Sequence, residues 1–168
     1  RMAARANQAS VRQSLVALFT LPGIPCVTYG SEAGLTGSRQ NMFDNGFFDP
    51  DRQEARWLKE LIAFRKKHPA LARGKCRVER TSLACGVLAY TVSAGPDAYT
   101  MFFNTSPDRM IVDFPGGSGH LKLLSSEGVT STQDAILLPP ESYLVLKRAS
   151  AAVRRPRGPL LKPLKGSL

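Results

Sequence analysis

The chain contains few of the residues and patterns that mark specialised protein classes. No apolar run approaches the roughly 18 residues of a membrane-spanning helix, and 43% apolar with 21% charged residues is typical of a globular protein. There are two histidines, His68 and His120, and three cysteines without CxxC spacing. We therefore expect no metal site and no cofactor. Cys76 and Cys85 either form a disulfide across a hairpin that turns near Arg80, or remain thiols.

Acidic residues are absent from the end of the chain, although seven basic residues lie between Lys147 and Leu168. That segment carries most of the formal net charge of +10 and leaves only +3 for the rest of the chain. It has three prolines, no aromatic residue and no apolar period. This composition predicts that residues 149–168 form a basic, disordered tail, and we do not expect nucleic-acid binding.

The first 30 residues read as a helix followed by a buried strand. Ser10 and Gln13 fit a capping box, and apolar residues then recur at helical spacing: Val11, Leu15, Leu18 and Phe19. Pro22 and Gly23 end this helix. The run "IPCVTY" over 24–29 is apolar on both faces, which is typical of a strand that is covered on both sides of a parallel sheet.

A long loop and a second helix follow. Glycines at 30, 34, 37 and 46 interrupt a loop of about 20 residues, a length usually found in functional loops. Asp51 and Glu54 fit a second capping pattern, and the stripe Ala55, Leu58, Leu61 and Ile62 predicts a helix that ends at His68-Pro69. The predicted order is therefore helix, strand, long loop, helix.

The pattern changes after Gly74 to short runs rich in β-branched and aromatic residues. These runs are "GVLAYTV", "YTMFFN", "MIVDF", "LKLL", "AILLP" and "SYLVLK", separated by turn formers such as "AGPD" and "NTSPD". They predict an antiparallel β-sandwich. Asn104-Thr105-Ser106 also fits the N-glycosylation pattern, which has meaning only in a secreted eukaryotic protein.

Two stretches resemble the α-amylase family of glycoside hydrolases. "LVALFTLPGIPCVTYGSEAGLTG" and "WLKELIAFRKKHPALARG" look like the end of its catalytic (β/α)8 barrel, and "MFFNTSP" with "LPPESYLVLK" is similar to the β domain that follows. The resemblance implies an α/β part followed by an all-β part. Residues 1–74 would contain the last helix-strand-helix of the barrel, with "GIPCVTYG" as its eighth strand, and residues 75–148 would form the antiparallel β-sandwich.

The resemblance also implies that the catalytic residues are missing. The family uses an aspartate nucleophile, a glutamic acid and a second aspartate on strands four, five and seven, and its two reacting carboxyl groups lie about 5 Å apart. None of those strands has a counterpart here, and the chain begins with Arg1 and shows no signal peptide. We therefore expect a fragment or a truncated product with no catalytic residue of its own, and the compartment is unknown.

Three residues are candidates for binding substrate. Arg39 lies three residues before Met42, an arrangement that reaches the sugar chain in family members with an "RRPM"-like motif, although Gln40 and Asn41 depart from that motif. Glu32 makes a structural hydrogen bond or a substrate contact, and a catalytic role is disfavoured because a glycosidase needs a matched pair of carboxylates. Tyr29 either offers its ring to a sugar or packs in the barrel wall.

The sequence thus favours the C-terminal fragment of a glycoside hydrolase or glucanotransferase that acts on α-glucans or maltooligosaccharides. Hydrolysis and transfer, and α-1,4 and α-1,6 specificity, remain open, as does the oligomeric state. The alternative is a noncatalytic product whose β module binds a carbohydrate or a protein.

Overall fold

A computed structural model describes residues 7–31, 35, 49, 51–82, 85–149 and 160–162, with the backbone alone at 80–82 and 160–162. Among the described residues, three helices come first: α1 (Gln8–Thr20), α2 (Gln53–Lys67) and α3 (Ala70–Arg73). Both helices predicted from apolar periodicity are confirmed. The observed caps differ from the predicted ones. Asn7, rather than Ser10, caps α1 by accepting a hydrogen bond from the Ser10 amide at 2.8 Å, and α2 has no side-chain cap.

The predicted strand between the two long helices is not formed. Residues 24–28 belong to no helix or strand, and Ile24 is 96% exposed. A parallel strand needs neighbouring strands to pair its backbone. No strand among the described residues pairs with this segment, so the prediction of a strand buried on both faces is wrong for the chain as it stands.

The strands that follow in the described part of the chain form two antiparallel sheets. The larger has five strands in the order β1-β2-β3-β8-β5 and the smaller has four in the order β6-β7-β4-β9. Their bounds are β1 (Lys75–Ser82), β2 (Val87–Ala94), β3 (Asp97–Asn104), β4 (Met110–Asp113), β5 (His120–Ser125), β6 (Thr130–Ser131), β7 (Ala135–Leu138), β8 (Ser142–Arg148) and β9 (Leu160–Lys162). The predicted antiparallel β region is therefore confirmed.

The five-stranded sheet lies between the helices and the smaller sheet. Alternate residues of its central strands point to opposite faces, as the two-residue period of a strand requires. Met101 and Val145 pack against the helices, where Trp57 also packs, whereas Phe102 and Leu144 pack against the smaller sheet. This layering explains why β3 and β8 are apolar on both faces.

The predicted boundary at residue 74 falls between α3 and β1. Gly74 permits close contact there, because a Cβ at this position would lie 2.5 Å from the Ala70 carbonyl oxygen and 2.8 Å from that of Ser93. One cluster of buried side chains extends across the boundary, from Leu71 of α3 to Val92 of β2. The division into domains 1–74 and 75–148 remains a prediction.

Two further expectations can be compared with the strands. Cys76 and Cys85 are not joined in a disulfide, and Cys76 lies opposite Val92 in the β1–β2 ladder. Leu160–Lys162 was expected to be disordered, but its backbone pairs with β4, so that expectation is wrong for these three residues. Residues 150–159 and 163–168 of the predicted tail lie outside the described residues.

Candidate functional site

The described part of the predicted substrate-binding loop is a tight turn at Tyr29. Gly30 has φ +88°, a value that suits glycine. The Ser31 amide donates to the Thr28 carbonyl at 3.1 Å, and the Leu35 amide donates to the Gly30 carbonyl at 2.9 Å. Leu35 is only 3% exposed.

Of the three candidate binding residues, only Tyr29 lies within the described residues, where its side chain is half-buried. Glu32 and Arg39 lie outside them, and their roles remain predictions. Tyr29 directly follows the unpaired segment 24–28 and begins the turn that contains Gly30. The choice between a sugar contact and wall packing remains open for Tyr29.

Arg65 of α2 forms hydrogen bonds with the C-terminal end of α1. Its guanidinium group is buried and donates hydrogen bonds to three carbonyl oxygens: those of Phe19, Leu21 (2.9 Å) and Gly23. These carbonyls lie at and just beyond the C-terminal end of α1, where a helix presents unpaired acceptors and partial negative charge. Burial lowers the pKa of Arg65. Arg65 therefore joins α2 to the segment that leads to Tyr29.

The same end of α1 is attached to the large sheet through two hydroxyl groups. Thr20 Oγ1 lies 2.7 Å from the Tyr90 hydroxyl of β2, and Thr20 also donates to the Val16 carbonyl at 2.7 Å. Both side chains are buried, and burial raises the pKa of Tyr90 to about 12. The phenol is therefore neutral at physiological pH and acts as a hydrogen-bonding group rather than as an acid or base.

A second polar contact fixes the middle of α1 on β3 and β8. The buried Gln13 amide nitrogen donates to the carbonyl oxygens of Asn104 and Ser142, both at 2.8 Å. Those two residues lie opposite each other in the β3–β8 ladder. Nearby, the Glu141 carboxylate accepts hydrogen bonds from Ser10 Oγ at 2.9 Å and from the Asn7 amide group. The helix is thus oriented by side-chain contacts along much of its length.

Asn104 is buried beneath the turn that follows β3. Its side chain is fully buried, and its amide nitrogen donates to the carbonyls of Asp108 (2.7 Å), Leu138 (3.2 Å) and Pro139 (2.8 Å). The side-chain oxygen Oδ1 of Asn104 accepts hydrogen bonds from the backbone amide and the hydroxyl of Ser106. The amide nitrogen that glycosylation would modify is therefore inaccessible in this fold.

His68, at the end of α2, belongs to a polar cluster with Tyr99, Lys147 and Asp97. Its Nδ1 lies 3.0 Å from the Tyr99 hydroxyl, and its ring packs on Phe64 at 4.6 Å between centroids. Lys147 forms an ion pair with Asp97 at 2.8 Å. Burial lowers the pKa of His68, the positive charges of Lys147 and Lys67 lower it further, and Asp97 partly opposes them.

This depressed pKa predicts a loss of stability in mild acid. Because the folded pKa of His68 lies below the unfolded value of about 6.5, the unfolded chain binds more protons as the pH falls below that value. Stability should therefore be fully present above about pH 6.5 and decline as the pH falls through the window between the two pKa values. Urea unfolding at a series of pH values measures this decline.

His68→Gln should reduce that pH dependence, since histidines titrate in this window and carboxylates mostly below it. His120→Gln is the matched comparison, because burial also lowers the pKa of His120 while its neighbours are Gly116 and Arg148. Each variant should remove part of the slope. An unchanged slope in His68→Gln would contradict the assignment.

Sequence reasoning did not identify the buried hydrogen bonds of Arg65 and Asn104, although Arg65 left a signal. It falls on the apolar stripe of α2, three and seven residues after Ile62 and Leu58, where a charged residue indicates a buried polar contact. Asn104 gave no such signal, because a polar residue before a turn is ordinary.

The described residues contain no group of three or more histidine, cysteine or acidic side chains able to hold a metal ion. In the same part of the chain, no helix is long and apolar enough to cross a membrane.

Comparisons with known proteins identify relatives of much greater length. No family model matches the chain. A cyclomaltodextrinase of Geobacillus thermopakistaniensis (strain MAS1) is 27% identical over 136 residues, which cover 76% of this chain and 23% of that protein. The chain therefore spans about a quarter of the length of this curated relative.

Several solved structures contain a part that resembles the fold of this chain. Amy13B of Eubacterium rectale matches 88% of this chain with 37% of its own, at a TM-score of 0.68 and 19% identity. An Anoxybacillus α-amylase matches 89% with 34% of its own, at 0.69 and 22%, and a Nostoc punctiforme debranching enzyme soaked with acarbose matches 82% with 29%, at 0.64 and 24%. The predicted resemblance is therefore confirmed: the chain has the fold of the C-terminal region of α-amylase-family enzymes.

Proposed function

We propose that this chain is the C-terminal part of a retaining glycoside hydrolase or glucanotransferase that acts on α-glucans or maltooligosaccharides. Residues 1–74 form the end of its catalytic barrel and 75–148 its C-terminal β domain. The named activity of the Geobacillus relative supports the substrate class. The reacting carboxyl groups come from barrel strands that have no counterpart in this chain, so the chain's own role is to complete the barrel and contribute to substrate binding.

The observation that carries the proposal is the unpaired segment between α1 and α2. Both helices pack on the large sheet, and Arg65 of α2 holds the end of α1. The segment between them is apolar, yet residues 24–28 form no strand and Ile24 is 96% exposed. An apolar segment held between two packed helices fits a barrel strand whose partner strands belong to the rest of the proposed parent enzyme.

In the proposed parent enzyme, the substrate-binding residues follow the eighth strand. Active sites of (β/α)8 barrels lie on the loops at the carboxyl ends of the strands. Tyr29, Glu32 and Arg39 follow residues 24–28 in this order. The guanidinium of Arg39 supplies several donors for paired sugar hydroxyls, and Tyr29 supplies a ring for stacking.

The isolated chain should have no glycosidase or transferase activity. A retaining mechanism needs two carboxyl groups about 5 Å apart, one as nucleophile and one as acid, and the family residues for both roles are absent. Incubation with maltooligosaccharides, followed by reducing-sugar and chromatographic assays, measures this. Activity that Glu32→Gln abolishes would show that the chain carries its own catalytic carboxylate and would contradict the proposal.

A longer chain tests the proposed binding role of Arg39. If the reading frame is extended upstream until it includes the catalytic strands, the product should cleave or transfer maltooligosaccharides. In that enzyme Arg39→Ala should raise KM about 10-fold or more, because a hydrogen bond from a charged group contributes about 1.5 to 3 kcal/mol.

Arg56→Ala is the matched control, since Arg56 is an exposed arginine on α2. Its KM should stay within about twofold of the parent value. Equal kinetics in the two variants would remove Arg39 from the binding site. An extended chain without any activity on α-glucans would contradict the proposed function itself.

A noncatalytic β module is the second candidate, and the organisation of the two sheets favours it. Together they enclose a buried cluster of their own, which includes Phe102, Ile136 and Leu144. This candidate predicts that maltooligosaccharides shift NMR signals of the strands in the isolated chain. The first candidate predicts that any shifts in the intact parent centre on residues 29–39.

A further inference from the structure

The smaller sheet ends at β9, a strand formed by the basic C-terminal segment. β4 pairs with β7 on one side and with β9 on the other. In the β4–β9 ladder Ile111 lies opposite Lys162, Val112 opposite Leu161 and Asp113 opposite Leu160. The sequence distance is large, so this pairing is a tertiary contact rather than a hairpin.

Without β9, β4 would be an edge strand with a row of unpaired backbone groups. Such an edge is a template for pairing with another chain. Met110 and Val112 are 3% and 4% exposed and are buried in the core between the sheets. β4 would therefore keep its extended conformation, and its backbone groups could pair with another strand. The opposite edge is β6, which has only two residues, both exposed. β4 is therefore the edge of this sheet that needs protection.

β9 itself is a poor template for a further strand. It has three residues, and Pro159 and Pro163 directly flank it. Proline has no N–H group to donate to a ladder, and short strands, lysines and prolines are the features with which natural proteins protect sheet edges. The segment from 147 to 168 has seven basic and no acidic residues, so the tails of two copies repel each other.

We propose that the C-terminal segment is an intramolecular edge strand that keeps β4 of one copy from pairing with β4 of a second copy. Two identical antiparallel strands pair around a two-fold axis, which is the symmetry of most protein dimers. β9 occupies the backbone groups that this pairing would use. The C-terminal segment thus competes with a second copy of the chain for pairing with β4. This role does not depend on the proposed carbohydrate function.

Removal of the segment tests the proposal. The full chain and a variant that stops after Ala149 are compared by analytical ultracentrifugation between about 5 and 200 μM, a range in which weak dimers form. The truncated chain should reach an apparent mass about twice that of one copy at concentrations where the full chain remains a monomer. Leu161→Pro in the full chain should shift the mass in the same direction, because it removes a backbone donor from β9.

Ala152→Pro is the matched control in the same tail, eight residues before β9, and should leave the mass unchanged. Ile111→Lys with Asp113→Asn, combined with the truncation, places only like charges on the paired strands and should restore the monomer. Asp113→Lys serves the same purpose on the same strand if circular dichroism shows that Ile111→Lys is unfolded.

Other outcomes overturn the proposal. A truncated chain that stays monomeric throughout the concentration range would show that β4 does not self-associate. Association that both lysine variants leave unchanged would place the contact elsewhere. The exposed Ile24 is the obvious alternative contact, so association that Ile24→Ser alone abolishes would also overturn the proposal.

Discussion

Replacing Arg65 by alanine should lower the free energy of unfolding by about 3 kcal/mol. The substitution removes the donor from three carbonyl oxygens, those of Phe19, Leu21 and Gly23, at the end of α1. Hydrogen bonds from charged groups contribute about 1.5 to 3 kcal/mol each, but water that enters the vacated space restores part of this. Urea unfolding followed by circular dichroism measures the change.

Two other variants separate the geometry of Arg65 from its charge. Arg65→Lys keeps the positive charge but loses the planar group that reaches several carbonyls at once, so its loss should be intermediate. Arg56→Ala removes an exposed arginine from the same helix and should change stability by at most about 0.5 kcal/mol. If Arg65→Ala cost no more than Arg56→Ala, the contacts at the end of α1 would not stabilise the fold.

The helices were predictable because their signals are local. The apolar stripe of α2 and the proline after His68 lie within the helix or directly beside it, and the observed helix ends at Lys67. The segment 24–28 shows the opposite case. Its apolar character was read correctly, but a strand forms only with partners, and the described residues offer none.

An apolar pattern on both faces did not identify which strands are parallel. In "IPCVTY" this pattern predicts a parallel sheet, yet β3 and β8 have the same character and are antiparallel. Their second face is buried because the helices cover it. The pattern reports burial on both sides, and the identity of the covering layer depends on tertiary structure.

The candidate site was only partly readable for a related reason. Tyr29, Glu32 and Arg39 came from resemblance to a family, since no periodicity distinguishes a loop residue that binds a sugar. The contacts of Arg65, and those of Asn104 with Leu138 and Pro139, join residues more than 30 positions apart. The tail was misread at Leu160–Lys162 because its composition favours disorder, while the backbone pairing with β4 is a contact across the sequence.

Asn104→Ala should be at least as destabilising as the change at Arg65, with an expected loss of about 3 to 5 kcal/mol. The amide of Asn104 donates to three carbonyls, of which that of Leu138 is at the end of β7 and that of Pro139 directly follows it. Its oxygen also accepts two hydrogen bonds from Ser106. Alanine removes these five hydrogen bonds at a largely buried site, where each contributes about 0.5 to 1.5 kcal/mol. The Pro139 and Asp108 carbonyls still accept from the hydroxyl groups of Ser142 and Ser106.

Three control variants separate the contribution of the Asn104 side-chain NH2 donor from that of its oxygen acceptor. Asn104→Asp keeps the acceptor for Ser106 but replaces the donor with a carboxylate facing three carbonyls, so it should be as damaging as alanine near neutral pH. It should recover in part in acid, where a protonated carboxyl group donates one hydrogen bond. Ser106→Ala and Thr105→Ala alter the same turn at more exposed positions and should cost about 1 kcal/mol or less. A loss for Asn104→Ala as small as theirs would show that the turn closes without the buried amide.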